Sequence, residues 1–121
     1  MIYKIGMLCK HFKGNNLLEK NIYRIEELGV DGSDINEILI TYTGEGNLNT
    51  ATNLVVYSNI FQDNKLFCRE YEEISGELSD DKKVAFNQTI KVQPLTDEEI
   101  AIISSAEFVQ NKKDLVAKNI L

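Results

Sequence analysis

The pattern of apolar and polar positions predicts a β-hairpin in the middle of the chain. Residues 54–61 and 65–71 are two stretches rich in β-branched and aromatic side chains. The polar break at 62–65 contains no proline, which is typical of a hairpin connection. The other strands of the protein are predicted to pair with this hairpin.

The chain before the hairpin predicts three further strands, over residues 3–12, 21–28 and 37–43. The third of these, E-I-L-I-T-Y-T, has a strong β composition. Flexible loops are predicted at 29–36 and 44–52, which are rich in glycine and polar residues. Because no helix is predicted between the first five strands, a parallel α/β fold is disfavoured.

After the hairpin the periodicity changes. Ser79 is a predicted N-cap and opens a short helix. Residues 89–93 alternate in polarity and predict a sixth strand. Thr96 and Glu99 fit a capping box, so a helix is predicted over residues 97–110 at least.

The C-terminal helix carries an apolar stripe that includes Ile100, Ile103 and Phe108. An amphipathic helix must bury such a stripe against another surface. The favoured expectation is that it caps the open end of a β-barrel. The alternative is that it docks on another subunit, which would make the protein a homo-oligomer.

These elements predict a mainly β protein. The expected architecture is a small barrel or roll of five to six strands, with a short helix and a C-terminal helical extension. A length of 121 residues favours a single domain. We therefore expect a β roll at residues 1–95 and a helical extension at 96–121 that packs on the same domain.

The charge balance bears on the class of partner. The net charge of −6 argues against non-specific nucleic-acid binding, which requires dense positive charge. The charges are unevenly distributed, however, because residues 1–24 carry five basic side chains and only Glu19 as an acid. A basic N-terminal face therefore keeps nucleic acid as an alternative partner.

The sequence predicts a cytoplasmic protein. Lys4 and Lys10 interrupt the N-terminal apolar stretch, so no signal peptide is predicted. No run approaches the roughly 18 apolar residues of a membrane span, so no membrane association is expected. Cys9 and Cys68 are predicted to be reduced, buried thiols. A disulfide between them is the alternative if their strands are neighbours.

Several short motifs, in order along the chain, resemble a bacterial protein family. They are K-H-F-K-G at 10–14, Y-R-I at 23–25, L-V-V-Y at 54–57 and K-L-F-C-R-E-Y at 65–71. Over residues 8–74 the chain resembles the domain-of-unknown-function family 1653, a small SH3-like roll. The resemblance implies an SH3-like roll for this chain and supplies no established activity.

The sequence departs from the pattern of that family at several positions. Phe67 stands where the family usually has tryptophan, Cys68 where it has valine, and Glu70 where it has proline. Residues 79–121 lie outside the family pattern. No catalytic residue is carried over from the resemblance.

No catalytic, metal or cofactor site is predicted. His11 is the only histidine, and neither cysteine lies at metal-ligand spacing from it. The acidic stretch at 31–37 fails the spacing of an EF-hand loop. No glycine-rich phosphate motif and no serine nucleophile motif are present.

Binding is the remaining class of function. The candidate ligand-binding residues are His11, Phe12, Tyr57, Phe67 and Arg69. Arg69 either pairs with a carboxylate of its own chain or recognises an anionic ligand. The favoured function is a non-catalytic module that binds or assembles with a protein partner. The alternatives are a nucleic-acid-associated module and an enzyme that acts on an anionic small molecule through Arg69 and His11.

The exposure of the aromatic rings separates the two binding hypotheses. If Phe12 or Tyr57 is exposed beside Lys10, Lys13 and Arg69, nucleic acid is favoured, because bases stack on open rings. If these rings are buried, a protein partner is favoured.

Overall fold

The computed structural model describes residues 1–29, 33–45 and 53–118. Five strands and five helices lie in this part of the chain. In chain order they are β1 (Leu8–His11), β2 (Ile22–Gly29), α1 (Ile35–Thr43), β3 (Leu54–Asn59), β4 (Lys65–Glu70), α2 (Tyr71–Ser75), α3 (Asp80–Phe86), β5 (Val92–Pro94), α4 (Asp97–Ile103) and α5 (Ala106–Ala117).

The strands form one open antiparallel sheet in the order β4-β3-β2-β1-β5. The prediction of a mainly β, SH3-like barrel is therefore wrong. The described residues are 37% helical and 27% strand, so the fold is mixed α/β. The sheet stays open because β5 pairs with β1 on the side away from the hairpin, which leaves β4 and β5 at opposite edges.

The predicted hairpin is confirmed as β3 and β4, which pair along their full length. In its turn the Lys65 N–H donates to the Gln62 carbonyl at 3.1 Å. Asp63 and Asn64 between them have positive φ angles of 53° and 52°. Two central residues with positive φ are the requirement of a type I′ turn, and this turn completes the loop 60–64 that joins the paired residues Asn59 and Lys65.

The segment predicted as the third strand, residues 37–43, belongs to helix α1 instead. The Asp34 carboxylate accepts the Glu37 N–H at 3.0 Å and caps the helix, and Gly44 ends it with a φ of 76°. Apolar side chains recur at helical spacing in this helix: Ile35, Ile38, Leu39 and Tyr42. The caps and this period outweigh the β composition on which the prediction depended.

The predictions for the chain after the hairpin are confirmed in part. The short helix capped by Ser79 is α3. The sixth strand, predicted over 89–93, is shorter, because β5 begins only at Val92. Ile90 makes an isolated bridge with Glu77 instead of joining the sheet.

The helix predicted over 97–110 is interrupted and forms two helices. The capping box of Thr96 and Glu99 is confirmed at the start of α4. Ser105 interrupts the helix because its side chain accepts the Phe108 N–H at 3.2 Å, which caps a new helix, α5. The serine thus competes with helix continuation, as capping residues do.

The apolar stripe of these helices is buried within the chain at Ile103 and Phe108 and half-buried at Ile100. Ile103 and Phe108 form a core cluster with Ile22 of β2. The stripe therefore covers one face of the open sheet, and there is no barrel end for it to close. A role of this helix in a homo-oligomer stays a prediction.

The opposite face of the sheet carries the larger core. Tyr3 tethers the N-terminal segment to it, because its hydroxyl donates to the Val92 carbonyl at 2.6 Å and also lies 3.2 Å from the Ile74 carbonyl oxygen. The buried members of this cluster come from four strands and from the segments that cover them: Tyr3, Cys9, Tyr23, Ile25, Val55, Tyr57, Ile74 and Val92.

The two cysteines are free thiols. Cys9 lies in β1 and Cys68 in β4, three strand spacings or roughly 14 Å apart. A disulfide requires Cα atoms within about 7 Å. The alternative of a disulfide between them is therefore excluded by the sheet order.

Parts of the predicted loops at 29–36 and 44–52, and the end of the C-terminal tail, lie outside the described residues. Among the helices that are described, none combines the length and the apolar character that crossing a bilayer requires.

Candidate binding site

Four ring side chains lie side by side on one face of the sheet. This aromatic row consists of His11, Tyr23, Tyr57 and Phe67. Tyr57 and Phe67 are cross-strand partners and stack with ring centroids 5.4 Å apart. The Tyr23 ring lies 4.7 Å from that of Tyr57 and meets the His11 ring edge-on at 6.3 Å. The row therefore runs from β1 across the sheet to β4.

Strand alternation places the row on one face. Side chains two residues apart in a strand share a face, so Lys65 and Arg69 flank Phe67 along β4. The Lys65 ammonium lies 5.3 Å from the centroid of the Phe67 ring, and the Arg69 guanidinium lies 5.9 Å from it. Both distances are within the range of a cation–π contact.

The other end of the row is also basic. Phe12 packs against His11 with ring centroids 4.7 Å apart. The ammonium groups of Lys13 and Lys82 lie 5.9 Å and 5.6 Å from the Phe12 ring centroid. Lys91 is close enough to His11 to lower its pKa. The cationic rim is the set of exposed basic residues at the two ends of the row: Lys13, Lys65, Arg69, Lys82 and Lys91.

The rings themselves are mostly closed to solvent. Phe12 is 7% exposed and Tyr57 is 6% exposed, and Tyr23 is buried as well. His11 and Phe67, at the two ends, are half-buried. A base therefore has no open ring to stack on at Phe12 or Tyr57, because neighbouring side chains already cover both.

His11 is held in its neutral form. Burial lowers the pKa of His11, and the positive charges of Lys13, Lys20 and Lys91 lower it further. Its Nδ1 accepts the Lys13 main-chain N–H at 3.3 Å, so the ring proton resides on Nε2. Within the described residues no group of three or more His, Cys, Asp or Glu side chains is arranged to hold a metal ion.

The other titratable groups of this region are poorly suited to proton transfer or nucleophilic attack at neutral pH. Burial raises the pKa of Tyr57 to about 12, and burial also raises that of Tyr23. Burial raises the pKa of Cys9 to about 12 and that of Cys68 in the same direction. Nucleophilic thiols need the opposite shift, towards the thiolate.

The predicted site residues lie in one region of the structure, but they do not converge on a single site. His11 and Phe12 lie at the β1 end of the row, and Phe67 and Arg69 lie at the β4 end with Tyr57 beside them. The two ends are roughly 14 Å apart because two strands separate them. The enzyme alternative needs His11 and Arg69 on one small molecule, which this spacing opposes.

Sequence reasoning missed some residues of the region. Tyr23 links the two ends of the row, and its alternation with Ile25 in β2 was a signal for it. Lys65 lies two residues before Phe67, so strand alternation also places it on that face. Lys82 had no sequence signal, because it approaches Phe12 from helix α3.

Comparisons with known proteins add no family or function. No family model matches the chain, no curated protein matches it, and no solved structure matches it. The resemblance of residues 8–74 to the domain-of-unknown-function family 1653 stays a prediction. The geometry of the sheet face is therefore the basis for the functional proposal.

Proposed function

We propose that this protein is a non-catalytic interaction module that binds an acidic segment or surface of a protein partner. The binding surface is the cationic rim together with the half-buried ends of the aromatic row. The observation that carries the proposal is the concentration of five exposed basic side chains around these rings in a chain with a net charge of −6.

The rim is basic although the chain is acidic. The chain has 13 basic and 19 acidic residues, so a random surface region would carry more negative than positive charge. Burial is the main cause that raises the pKa of Tyr57; near the row, Glu73 raises it further and Arg69 opposes the shift. A local positive field on an acidic protein steers acidic partners to this one region.

The rim side chains are available for a partner. Arg69 is exposed, and within the described residues its side chain donates only to the carbonyl of neighbouring Cys68, at 2.9 Å. An arginine with its guanidinium largely open to solvent retains donors for a carboxylate. Its ion pairing with a carboxylate of its own chain, one of the two hypotheses from the sequence, is not found among the described residues.

A protein partner is preferred to nucleic acid because of the burial of the rings. Single-stranded nucleic acid gains much of its affinity from bases stacked on open aromatic side chains. Phe12 and Tyr57 are buried, and one face of Phe67 is taken by Tyr57. What faces solvent is mainly charge, which suits carboxylate side chains on a partner.

The module is proposed to act in the cytoplasm. Both cysteines are free thiols, and they lie on separated strands. Free thiols persist where the compartment is reducing.

The proposal is tested by reversing the charge at one end of the rim. The variant is Lys65→Glu/Arg69→Glu, and the matched control is Lys4→Glu/Lys113→Glu, which makes the same charge change at exposed positions elsewhere. Binding of a glutamate-rich peptide and of a single-stranded oligonucleotide is measured by fluorescence polarisation. Affinity capture from lysate, with and without nuclease, then identifies natural partners of each protein.

We expect the wild type to bind the glutamate-rich peptide more tightly than the oligonucleotide. The rim variant should lose at least about tenfold in affinity, while the control changes little. Proteins captured by the wild type should remain bound after nuclease treatment. The rim variant should not capture them. The choice of a protein partner would be overturned if the wild type captured nucleic acid in the untreated sample alone and did not bind the glutamate-rich peptide.

A further inference from the structure

A small polar cavity lies on the opposite side of β1 from His11. Its volume is about 100 Å³. It is formed where β1, the loop that follows β1, the end of α3 and the start of α4 meet. Its polar lining consists of Lys10, Asn15, Asn16, Lys20, Asn87 and Glu99.

Two buried lysines give this cavity an excess of positive charge. Lys10 is 8% exposed and Lys20 is 4% exposed. Among the described residues of the lining, Glu99 is the only carboxylate, so their ionised groups sum to one positive charge. Buried charge without a full complement of opposite charge is costly, and a bound anion offsets that cost.

Lys20 has no donor left for a ligand. Its ammonium donates to the Phe12 carbonyl at 3.0 Å, to the Phe86 carbonyl at 2.8 Å and to the Gln88 Oε1 at 3.0 Å. These are all the hydrogen bonds an ammonium can donate. Lys20 therefore contributes charge and holds the walls of the cavity in place.

Lys10 does have donors left. Its ammonium donates to the Glu99 Oε2 at 2.6 Å, and within the described residues it has no other acceptor. The second oxygen of Glu99 accepts the Thr96 N–H at 3.0 Å, so the carboxylate is held in place by the capping box. Two N–H groups of Lys10 remain for a third party in the cavity.

Asn16 supplies a second donor of fixed orientation. Its Oδ1 accepts the Glu19 N–H at 3.0 Å, which fixes the amide oxygen. The amide NH₂ makes no hydrogen bond within the described residues, and Asn16 is one of the residues that line the cavity.

We propose that this cavity binds a small oxyanion, the carboxylate or phosphoryl group of a ligand, with Lys10 as the principal donor and Asn16 as the second. The volume is several times that of one water site, which is enough for one such group. The site is separate from the proposed protein-binding face, because Lys10 points to the other side of β1 from His11.

The pKa shifts of Lys20 and Glu99 agree with a site for negative charge. Burial lowers the pKa of Lys20, and the charge of Lys10 lowers it further, whereas Glu99 opposes the shift. Burial by itself would raise the pKa of Glu99, but hydrogen bonds from Lys10 and Thr96 bring it below its usual range. Glu99 is therefore ionised at neutral pH and competes with a bound anion for Lys10.

Because Glu99 competes with a bound anion for Lys10, a variant that removes the charge of Glu99 tests the proposal most directly. Glu99→Gln keeps the capping box, which accepts glutamine as well as glutamate, and raises the charge of the cavity from one to two. Lys10→Gln removes the principal donor and keeps a group that can donate to Glu99. Lys4→Gln, at an exposed position before β1, is the control for loss of one positive charge.

The whole chain, labelled with ¹⁵N, is titrated at pH 7.5 with inorganic phosphate and separately with acetate, at constant ionic strength set with sodium chloride. Amide signals of residues around the cavity are followed by NMR. We expect saturable shifts with at least one of the two anions. Tighter binding of acetate identifies a carboxylate ligand, and tighter binding of phosphate identifies a phosphoryl ligand.

Lys10→Gln should weaken the binding by about tenfold or more, the effect of losing a charge-assisted hydrogen bond. Glu99→Gln should tighten it severalfold, and Lys4→Gln should leave it unchanged. If Lys10→Gln does not fold, Glu99→Gln and Lys4→Gln decide the question. Non-saturating shifts equal to those of chloride, or Glu99→Gln binding no more tightly than wild type, would overturn the proposal.

Discussion

The ammonium of Lys112 in α5 donates a hydrogen bond to the main-chain carbonyl of Leu18 at 2.6 Å. It donates a second one to the carbonyl of Lys20, and its side chain is 1% exposed. No carboxylate accompanies it in these contacts. A buried lysine thus fastens the last helix to the loop between β1 and β2, with carbonyl oxygens in place of an ion pair.

This contact makes stability depend on pH in the alkaline range. Burial lowers the pKa of Lys112 to about 8, whereas in the unfolded chain it is about 10.4. Between these values the unfolded state binds more protons, so the free energy of unfolding rises with pH. Relative to Lys112→Met, the wild type should gain about 1 kcal/mol for each pH unit from pH 8.5 to pH 10.

Urea denaturation of both proteins across this range measures the difference. The tyrosines and cysteines, which also titrate there, are the same in both and cancel. Lys113→Met at the exposed neighbouring position should show no such dependence. A pH-independent difference between wild type and Lys112→Met would show that Lys112 keeps an ordinary pKa.

The hairpin turn should be sensitive to the residue at position 64. Asn64 has a φ of 52°, which asparagine and glycine tolerate and alanine does not. Asn64→Ala should therefore lower the free energy of unfolding by about 1 kcal/mol. Asn64→Gly should be within about 0.5 kcal/mol of wild type. Stability is measured by chemical denaturation. If the two variants were equally stable, the positive φ at position 64 would not be the reason that alanine is unfavourable there.

The thiols should react in an order set by burial. Cys9 is fully buried and its pKa is raised to about 12, so Ellman's reagent should reach it only through unfolding. Cys68 is half-buried and should react more slowly than a free thiol but without unfolding. The variant Cys68→Ser isolates Cys9. Its reaction rate should increase with urea in step with the unfolded fraction, and a rate independent of urea would contradict the buried position.

Arg69 and Lys20 should differ sharply in their effect on stability. Arg69 is exposed, so Arg69→Ala should change the free energy of unfolding by less than about 0.5 kcal/mol. Lys20→Met leaves two buried acceptors and one part-buried acceptor without their donor and should cost roughly 2–4 kcal/mol. Thermal denaturation of the two variants checks both values. A large loss on Arg69→Ala would indicate a structural role and weaken the proposed binding face.

Local features were readable from the sequence because neighbouring residues determine them. The hairpin, the Ser79 cap and the capping box of Thr96 all follow from side chains a few positions apart. Helix α1 was misread because its β-branched composition was weighed above the spacing of its apolar residues and the cap at Asp34. The helical period of the apolar residues is present in the sequence of this segment.

The sequence did not allow the prediction that the sheet is open, because this property depends on which strands pair at long range. Nothing in residues 89–93 indicates that β5 joins β1 instead of β4. Long-range contacts also limited the prediction of the residues at the cationic rim and at the cavity. Alternation placed Phe67 and Arg69 on one face, but Lys82 and Glu99 reach their positions from distant helices.

The pairing of β1 with β5 has a consequence for synthesis on the ribosome. Strands β1 to β4 follow one another in the sheet as in the chain, so they can form a meander while later residues are still being translated. Until β5 emerges, the outer side of β1 presents unpaired main-chain groups. The nascent protein therefore passes through a stage in which this strand is exposed to pairing with another chain, and chaperone binding there would shield it.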